Sequence, residues 1–158
     1  MPIIIRPLLA GDRPDIVRIL EGTQAFTPVD VQVAIELLDC YLEAGIGSGY
    51  HIWLAELDGR AAGYICYGPT PLTTGTWDVY WIATDPDLKG HGIGTALLNF
   101  AEQEIRQAAG RMILIETASN PLYLEARRFY LARGYIIVSS IPDFYSPGDN
   151  KITFRKLI

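Results

Sequence analysis

Lys89-Gly90-His91-Gly92-Ile93-Gly94-Thr95 is the stretch on which the chain turns. It stands between residues 77–84, an apolar run that reads as a buried strand, and residues 93–109, whose apolar side chains recur at helical spacing. Glycine at every second position leaves backbone N–H groups uncovered where the following helix presents its positive end, which makes a cradle for an anionic phosphate. The triphosphate loop is excluded, because no Gly-Lys-Ser/Thr follows four intervening residues. The dinucleotide fingerprint is excluded too, because Thr95 and Leu97 stand where its third glycine belongs. Taken alone, the stretch is either an anion cradle or a structural turn.

Downstream, Ile93, Leu97, Ala101 and Ile105, with Leu98 and Phe100 beside them, predict a helix with one broad buried face that ends near Gly110. Residues 112–115 predict a buried strand, 116–120 a polar exit, and 121–133 a helix stopped by Gly134. Residues 135–141 and 152–157 predict two late strands, joined by residues 142–151 with Pro147-Gly148-Asp149 as the turn.

Upstream, Ile3-Ile4-Ile5 closed by Pro7 predicts an opening strand. Asp12 and Pro14 start a helix carrying Ile16, Val17, Ile19 and Leu20 as far as Gly22. Thr27 as N-cap, Pro28 and Asp30 start a second, with Val31, Ile35, Leu38 and Leu42 on one stripe and Gly45 at its end. The period then becomes two: residues 52–57 and 61–67 predict a hairpin about Asp58-Gly59, and Gly68-Pro69-Thr70-Pro71 stops it. Strand, two helices, three strands, helix, strand, helix, two strands is the order of a mixed α+β sheet with helices on its faces. A single domain over residues 1–158 is expected.

Half the residues are hydrophobic and a fifth are charged, the balance of an ordered globular protein. A net charge of −5 argues against a general nucleic-acid binder and suits a cationic acceptor better. Cys40 and Cys66 are isolated and read as small apolar residues of a reducing compartment, and neither they nor His51 and His91 have metal-like spacing, so no metal is expected. Without an N-terminal targeting pattern or a bilayer-length apolar run, the expectation is a cytoplasmic protein with no membrane partner.

The segment Thr84-Asp85-Pro86-Asp87-Leu88-Lys89-Gly90-His91-Gly92-Ile93-Gly94 resembles the signature of the GCN5-related N-acetyltransferase (GNAT) superfamily, whose loop reads Arg/Gln-x-x-Gly-x-Gly/Ala. Lys89, Gly92 and Gly94 stand at those positions, lysine being a departure at the first. A second segment, Ala126-Arg127-Arg128-Phe129-Tyr130-Leu131-Ala132-Arg133-Gly134-Tyr135, resembles the family's Ala-x-x-Phe-Tyr-x-x-x-Gly-Phe/Tyr. The element order is also similar, least so over residues 8–48. The resemblance implies a GNAT-like acyl-CoA acyltransferase fold, a central mixed, mostly antiparallel sheet flanked by about four helices. It implies an N-acetyltransferase that moves the acetyl group of acetyl-CoA to the primary amine of a small molecule or amino acid by direct attack. A protein N-terminal or lysine acetyltransferase is the alternative within the family, and a non-catalytic acyl-CoA sensor the alternative outside it. Homodimers are common in the family.

By the same resemblance, the N–H groups of Lys89, Gly90, His91, Gly92, Ile93, Gly94 and Thr95 would seat the pyrophosphate. The pantetheine arm would pair with the backbone of Ile82, Ala83 and Thr84, where the family's central strand bulges. Tyr130 is the candidate acid for the departing thiolate, with a core tyrosine as the other reading. Glu116 is the first candidate base, and Asp78 and Tyr80 the others. Asn120 is a candidate pantetheine ligand, although the family's asparagine lies seven residues before the tyrosine, where Tyr123 stands here. Acceptor specificity is expected from the second helix and residues 68–76 and 143–149. Tyr67, Trp77, Tyr80, Phe144 and Tyr145 would wall the pocket, and Asp78 or Asp143 would hold the ammonium.

Overall fold

The computed structural model describes residues 2–158. The β-branched run forms β1 (Ile3–Pro7). α1 (Arg13–Gly22) has Pro14 in its first turn, where a missing N–H costs nothing, and buries Ile16, Ile19 and Leu20. α2 (Pro28–Ala44) opens on a reciprocal cap: the Thr27 hydroxyl accepts the Asp30 N–H at 3.1 Å and the Asp30 carboxylate accepts the Thr27 N–H at 2.9 Å. β2 (His51–Leu57) and β3 (Arg60–Pro69) turn about Asp58 (φ 53°) and Gly59 (φ 72°), the two left-handed positions of a tight hairpin. Then come β4 (Thr76–Thr84), α3 (Ile93–Gln107), β5 (Met112–Ala118), α4 (Leu124–Ala132), β6 (Ile136–Ser146) and β7 (Asp149–Leu157).

The seven strands make one sheet in the order β1-β2-β3-β4-β5-β7-β6. β4 and β5 are parallel and joined through α3, as a crossover requires, and the other pairs are antiparallel. A mixed, mostly antiparallel sheet with four helices is thus the observed fold. α3 and α4 cover one face, where Leu97, Leu98, Ala101 and Ile105 pack on Ile65, Trp77, Ile113 and Phe154. α1 and α2 cover the other, where Ile16, Ile19, Leu20 and Leu38 pack on Ile52, Leu54, Tyr64 and Cys66. β3 lies between the two cores and is buried along nearly its whole length.

Three boundaries differ from the sequence expectation by more than two residues. β5 runs on to Ala118, so Glu116 lies inside the strand, because β7 supplies ladder partners for Glu116, Thr117 and Ala118 from more than thirty residues away. Residues 121–123 form a separate tight turn before α4, started by Asn120, whose side-chain oxygen accepts the Leu122 N–H at 3.0 Å. β6 and β7 also extend further than their apolar runs, to a hairpin tip at Pro147 and Gly148 (φ 83°). Polar residues such as Asp149 and Asn150 are carried into the strand by side-chain bonds: Asp149 accepts the N–H groups of Ser119 and Asn120 at 3.1 Å, and the Asn150 N–H donates to the Ser119 hydroxyl at 2.7 Å.

A buried carboxylate fastens the chain just ahead of the glycine loop. Asp85, 1% exposed, accepts Arg18 of α1 and Arg60 of β3, each at 2.9 Å, and the Asp87 N–H at 3.0 Å. These charges hold the Asp85 carboxyl below its usual pKa range against the opposing effect of burial. Asp85→Ala leaves two guanidinium groups without their shared partner and is expected to cost about 2 kcal/mol, or roughly 4–8 °C in melting temperature. Thermal unfolding followed by circular dichroism measures it, and an unchanged melting temperature would count against the clamp.

Candidate active site

The middle of β4 is irregular in a way that opens the sheet. Tyr67 of β3 faces Val79 and Cys66 faces Trp81, so Tyr80 is left over as a bulge. The side-chain phase shifts across it. Trp77 and Val79 belong to the core under α3, and beyond the bulge Trp81 and Ala83 pack with α1 and α2 while Ile82 packs on the α3 side. On its other edge β4 pairs with β5 only over Thr76 to Val79, opposite Met112 to Ile115, whereas β5 continues to Ala118 with β7. From Tyr80 to Thr84, β4 therefore borders a wedge with no ladder partner on that side among the described residues. The peptide groups of residues 80–84 that point away from β3 have no ladder partner among the described residues, which leaves an open strand edge there.

The glycine loop stands at the end of that wedge. Gly92 is the N-cap of α3 in the left-handed conformation (φ 77°), so no side chain caps the helix, and no acidic residue lies in its first turn. The first intrahelical bond from the loop is the Ala96 N–H to the Gly92 carbonyl, which leaves the preceding N–H groups and the positive helix end for an anion. A Cβ on Gly90 or Gly92 would meet nothing within 4 Å, so the loop is open on its outer side. The Lys89 ammonium reaches across to Glu125 of α4 at 3.1 Å, and His91 Nδ1 sits 2.9 Å from the Leu88 carbonyl oxygen.

α4 closes the third side. A Cβ on Gly94 would lie 3.4 Å from the Phe129 ring and 3.8 Å from the Thr84 hydroxyl, so α3, the end of β4 and α4 converge there. Tyr130 follows, 6% exposed, with its ring 5.5 Å from Phe154 and 6.3 Å from Tyr135. Burial pushes its phenol well above the ordinary value, so it stays protonated. A buried polar network holds the turn behind it. Glu102 of α3 accepts the Tyr135 hydroxyl at 2.8 Å and the Lys156 ammonium at 3.1 Å, and Lys156 also donates to the Arg133 carbonyl at 2.9 Å.

The acetyltransferase (GNAT) domain model matches residues 48–137, more than half of the chain. The chain belongs to the GNAT acetyltransferase family. A GNAT-family protein from Desulfovibrio desulfuricans has a solved structure that superposes with a TM-score of 0.94 at 39% identity, covering 99% of both chains. An uncharacterized N-acetyltransferase of Methanocaldococcus jannaschii is 35% identical over 106 residues, which cover 66% of this chain and 64% of that protein. The aminoalkylphosphonate N-acetyltransferase of Salmonella typhimurium is 34% identical over 88 residues, covering 54% of this chain and 56% of that protein. The chain thus spans less than two thirds of the curated relatives it matches.

In this GNAT sheet the wedge has polar groups on the α1–α2 side. Asp78 is partly buried, and its carboxylate accepts the Thr70 hydroxyl at 2.6 Å. Burial raises its pKa, the Thr70 bond opposes the rise, and the negative charge of Glu116 adds to it. Glu116 is exposed and ion-paired with Lys151 at 3.2 Å. Tyr80 projects from the bulge against Tyr50, ring centroids 5.4 Å apart, and burial pushes its phenol up to about 12.

Several sequence candidates have other places. Both ends of the Asn120 amide are engaged, the oxygen by the Leu122 N–H and the nitrogen donating to Asp149 at 3.0 Å, so it ties β5 to the hairpin tip. Tyr67 and Trp77 are core residues, and His51 stacks on Tyr67 at 5.2 Å. Asp143 accepts the Gly148 N–H at 2.7 Å and belongs to the hairpin. Phe144 and Tyr145 are exposed at that tip. Arg127 donates to the carbonyls of Ala118 and Asn120 at 2.7 and 2.9 Å, at the end of β5. Among the described residues, no group of three His, Cys, Asp or Glu could hold a metal, and no helix is long and apolar enough to cross a membrane.

The wall that sequence reasoning missed is aromatic. Phe26, just ahead of α2, meets Trp81 edge to face at 5.2 Å and Tyr123 at 6.5 Å, beside a groove of about 330 Å³ lined by Glu21, Phe26, Pro28 and Val31. Burial raises the phenols of Tyr123 and Tyr145, and the charges of Asp30 and Asp149 add to the rise in both. The three aromatic residues come from separate segments, and the only local signal was a large apolar residue just ahead of the Thr27 cap.

Proposed function

We propose that this protein is an acetyl-CoA-dependent N-acetyltransferase acting on the primary amine of a small molecule or amino acid. The observation that carries the reading is the wedge beside Ile82, Ala83 and Thr84, with an uncapped helix start at one end and Asp78 at the other. The donor supplies an activated acetyl thioester. Ile82, Ala83 and Thr84 offer the pantetheine arm a strand edge, and the N–H groups of Lys89, Gly90, His91, Gly92, Ile93, Gly94 and Thr95 offer its pyrophosphate a seat. A peptide N–H at the bulge polarises the thioester carbonyl. Asp78 takes the proton of the acceptor's ammonium, and Tyr130 donates to the departing thiolate.

Asp78 is preferred to Glu116 as the base because it is partly buried and desolvation raises its pKa, whereas Glu116 is exposed and ion-paired with Lys151. Tyr80, with its phenol pushed up to about 12, carries a proton at neutral pH and is a poor base. Asn120 supports the pocket as a positioning residue through its bond to Asp149. The aromatic wall of Phe26, Trp81 and Tyr123 suits a small acceptor, and the named activity of the Salmonella relative is in the same class.

Free-thiol release from acetyl-CoA, measured across amino acids, aminophosphonates, polyamines, aminoglycosides and peptides, tests the reading. Release with a small amine is expected; release with peptides alone, or acetyl-CoA binding without release, would overturn it. Gly92→Ala should raise KM for acetyl-CoA roughly tenfold with a smaller effect on kcat, because a left-handed alanine costs about 1–2 kcal/mol and its methyl enters the open side of the loop. Steady-state kinetics with varied acetyl-CoA read this directly, and an unchanged KM would count against the loop as the phosphate seat.

A further inference from the structure

Glu102 of α3 is a buried carboxylate, 4% exposed, with no part in the proton transfers. Both of its oxygens lie 3.1 Å from the Lys156 ammonium of β7, and Oε2 also accepts the Tyr135 hydroxyl at 2.8 Å. Lys156 and Tyr135 in turn grip the turn that ends α4. Lys156 donates to the Arg133 carbonyl at 2.9 Å, and its stem passes 3.6 Å from where a Cβ on the left-handed Gly134 (φ 92°) would lie. The Tyr135 N–H donates to the Tyr130 carbonyl at 3.1 Å, as does the Arg133 N–H. A connected path therefore runs from the Glu102 carboxylate through the Tyr135 hydroxyl and N–H to the Tyr130 backbone. The Tyr130 side chain is held by ring packing, against Phe154 at 5.5 Å, Phe129 at 5.7 Å and Tyr135 at 6.3 Å. Tyr135 is thus a wall of the Tyr130 ring as well as an anchor of its backbone.

We propose, resting on the assignment of Tyr130 as proton donor, that Glu102 is a positioning residue: by holding Tyr135 and Lys156 it fixes the last turn of α4, and with it the Tyr130 phenol, against α3. The first turn of α3 is the seat offered to the pyrophosphate, and Glu102 lies nine residues after Ile93, about 14 Å along the same rigid helix. One helix then sets both where the donor's phosphates rest and where the phenol stands relative to the thioester sulfur. A buried ion pair adds little net stability over an apolar replacement. A fully satisfied buried network does admit few geometries, which suits a phenol that must come within hydrogen-bond reach of one sulfur atom.

Tyr135→Phe keeps the ring and the N–H and removes only the bond to Glu102, while Lys156 still neutralises the carboxylate. It is expected to lower kcat about three- to tenfold with KM for acetyl-CoA unchanged, since the loop at the start of α3 is untouched. Glu102→Gln, which keeps the shape and removes the charge facing Lys156, should lower kcat in the same way. The deciding measurement is a double variant: in a Tyr130→Phe background, Tyr135→Phe should lower kcat no further, because no phenol is left to aim. A merely structural role would lower kcat by the same factor in both backgrounds. Circular dichroism and thermal melts check that each variant is folded at the assay temperature. An unchanged kcat in either single variant, or a loss undiminished in the Tyr130→Phe background, would overturn the positioning role and leave Tyr130 as the acid. Normal turnover of Tyr130→Phe alone would overturn the acid, and the positioning role with it.

Discussion

Tyr130→Phe is expected to lower turnover at least about tenfold, some 1.4 kcal/mol of transition-state stabilisation, with little change in acetyl-CoA affinity. The ring is what Phe154, Tyr135 and Phe129 touch, so phenylalanine preserves the packing, and the melting temperature should stay within a degree or two. What is lost is a buried phenol that its surroundings keep protonated. It can donate to a sulfur only as negative charge develops there, so its effect falls on kcat rather than on binding. Stopped-flow thiol release and a separate binding titration distinguish the two. Unchanged turnover would remove Tyr130 from the chemistry and leave it a core residue.

Asp78→Asn should be more severe, about a hundredfold in kcat/KM for the acceptor near neutral pH. Asparagine still accepts the Thr70 hydroxyl, so the geometry persists and only the basicity goes. The sign of the pH dependence follows from the raised pKa. With Asp78 as the proposed base, wild-type activity is expected to fall on the acid side through a pKa above the ordinary aspartate value, and that limb should disappear in the variant. Stability moves the other way. A carboxyl whose folded pKa is raised contributes stability below its unfolded pKa and loses it as pH rises through the folded value, so Asp78→Asn should leave the melting temperature at pH 7 unchanged or higher. Glu116→Gln serves as the comparison: a loss of the acid limb there, and not at Asp78, would return the base to Glu116.

The elements legible in the sequence were those specified by their own neighbours. The Thr27–Asp30 cap, the Asp58-Gly59 turn, and the glycines that end α2 and α4 are each written within a few residues, and each occurs where the pattern put it. The glycine loop and the start of α3 are of the same kind. What failed was pairing across the sheet. Nothing local to residues 116–118 says that they continue a strand, because their partners, residues 151–153, are distant in the chain. The same holds for the aromatic wall, where Tyr67 and Trp77 lie in the core and Phe26, Trp81 and Tyr123 are only partly buried. A tyrosine or tryptophan in a strand has the same local pattern on either face; the choice depends on register.

By itself, the sequence determined the fold class, the element order and the loop with an open helix start, since periodicity, caps and glycine conformation act over one or two turns of chain. Only the tertiary structure decided where the sheet opens. The bulge leaves Tyr80 unmatched where the register with β3 shifts, just beyond the last pairing of β4 with β5, and no residue of β4 specifies that alone. The proposed preference for Asp78 over Glu116 arises at the same level: both are acidic strand residues, and what separates them is that the fold partly buries the first beside Thr70 and leaves the second against Lys151. Burial and ion pairing act across strands, so they are fixed when the strands meet.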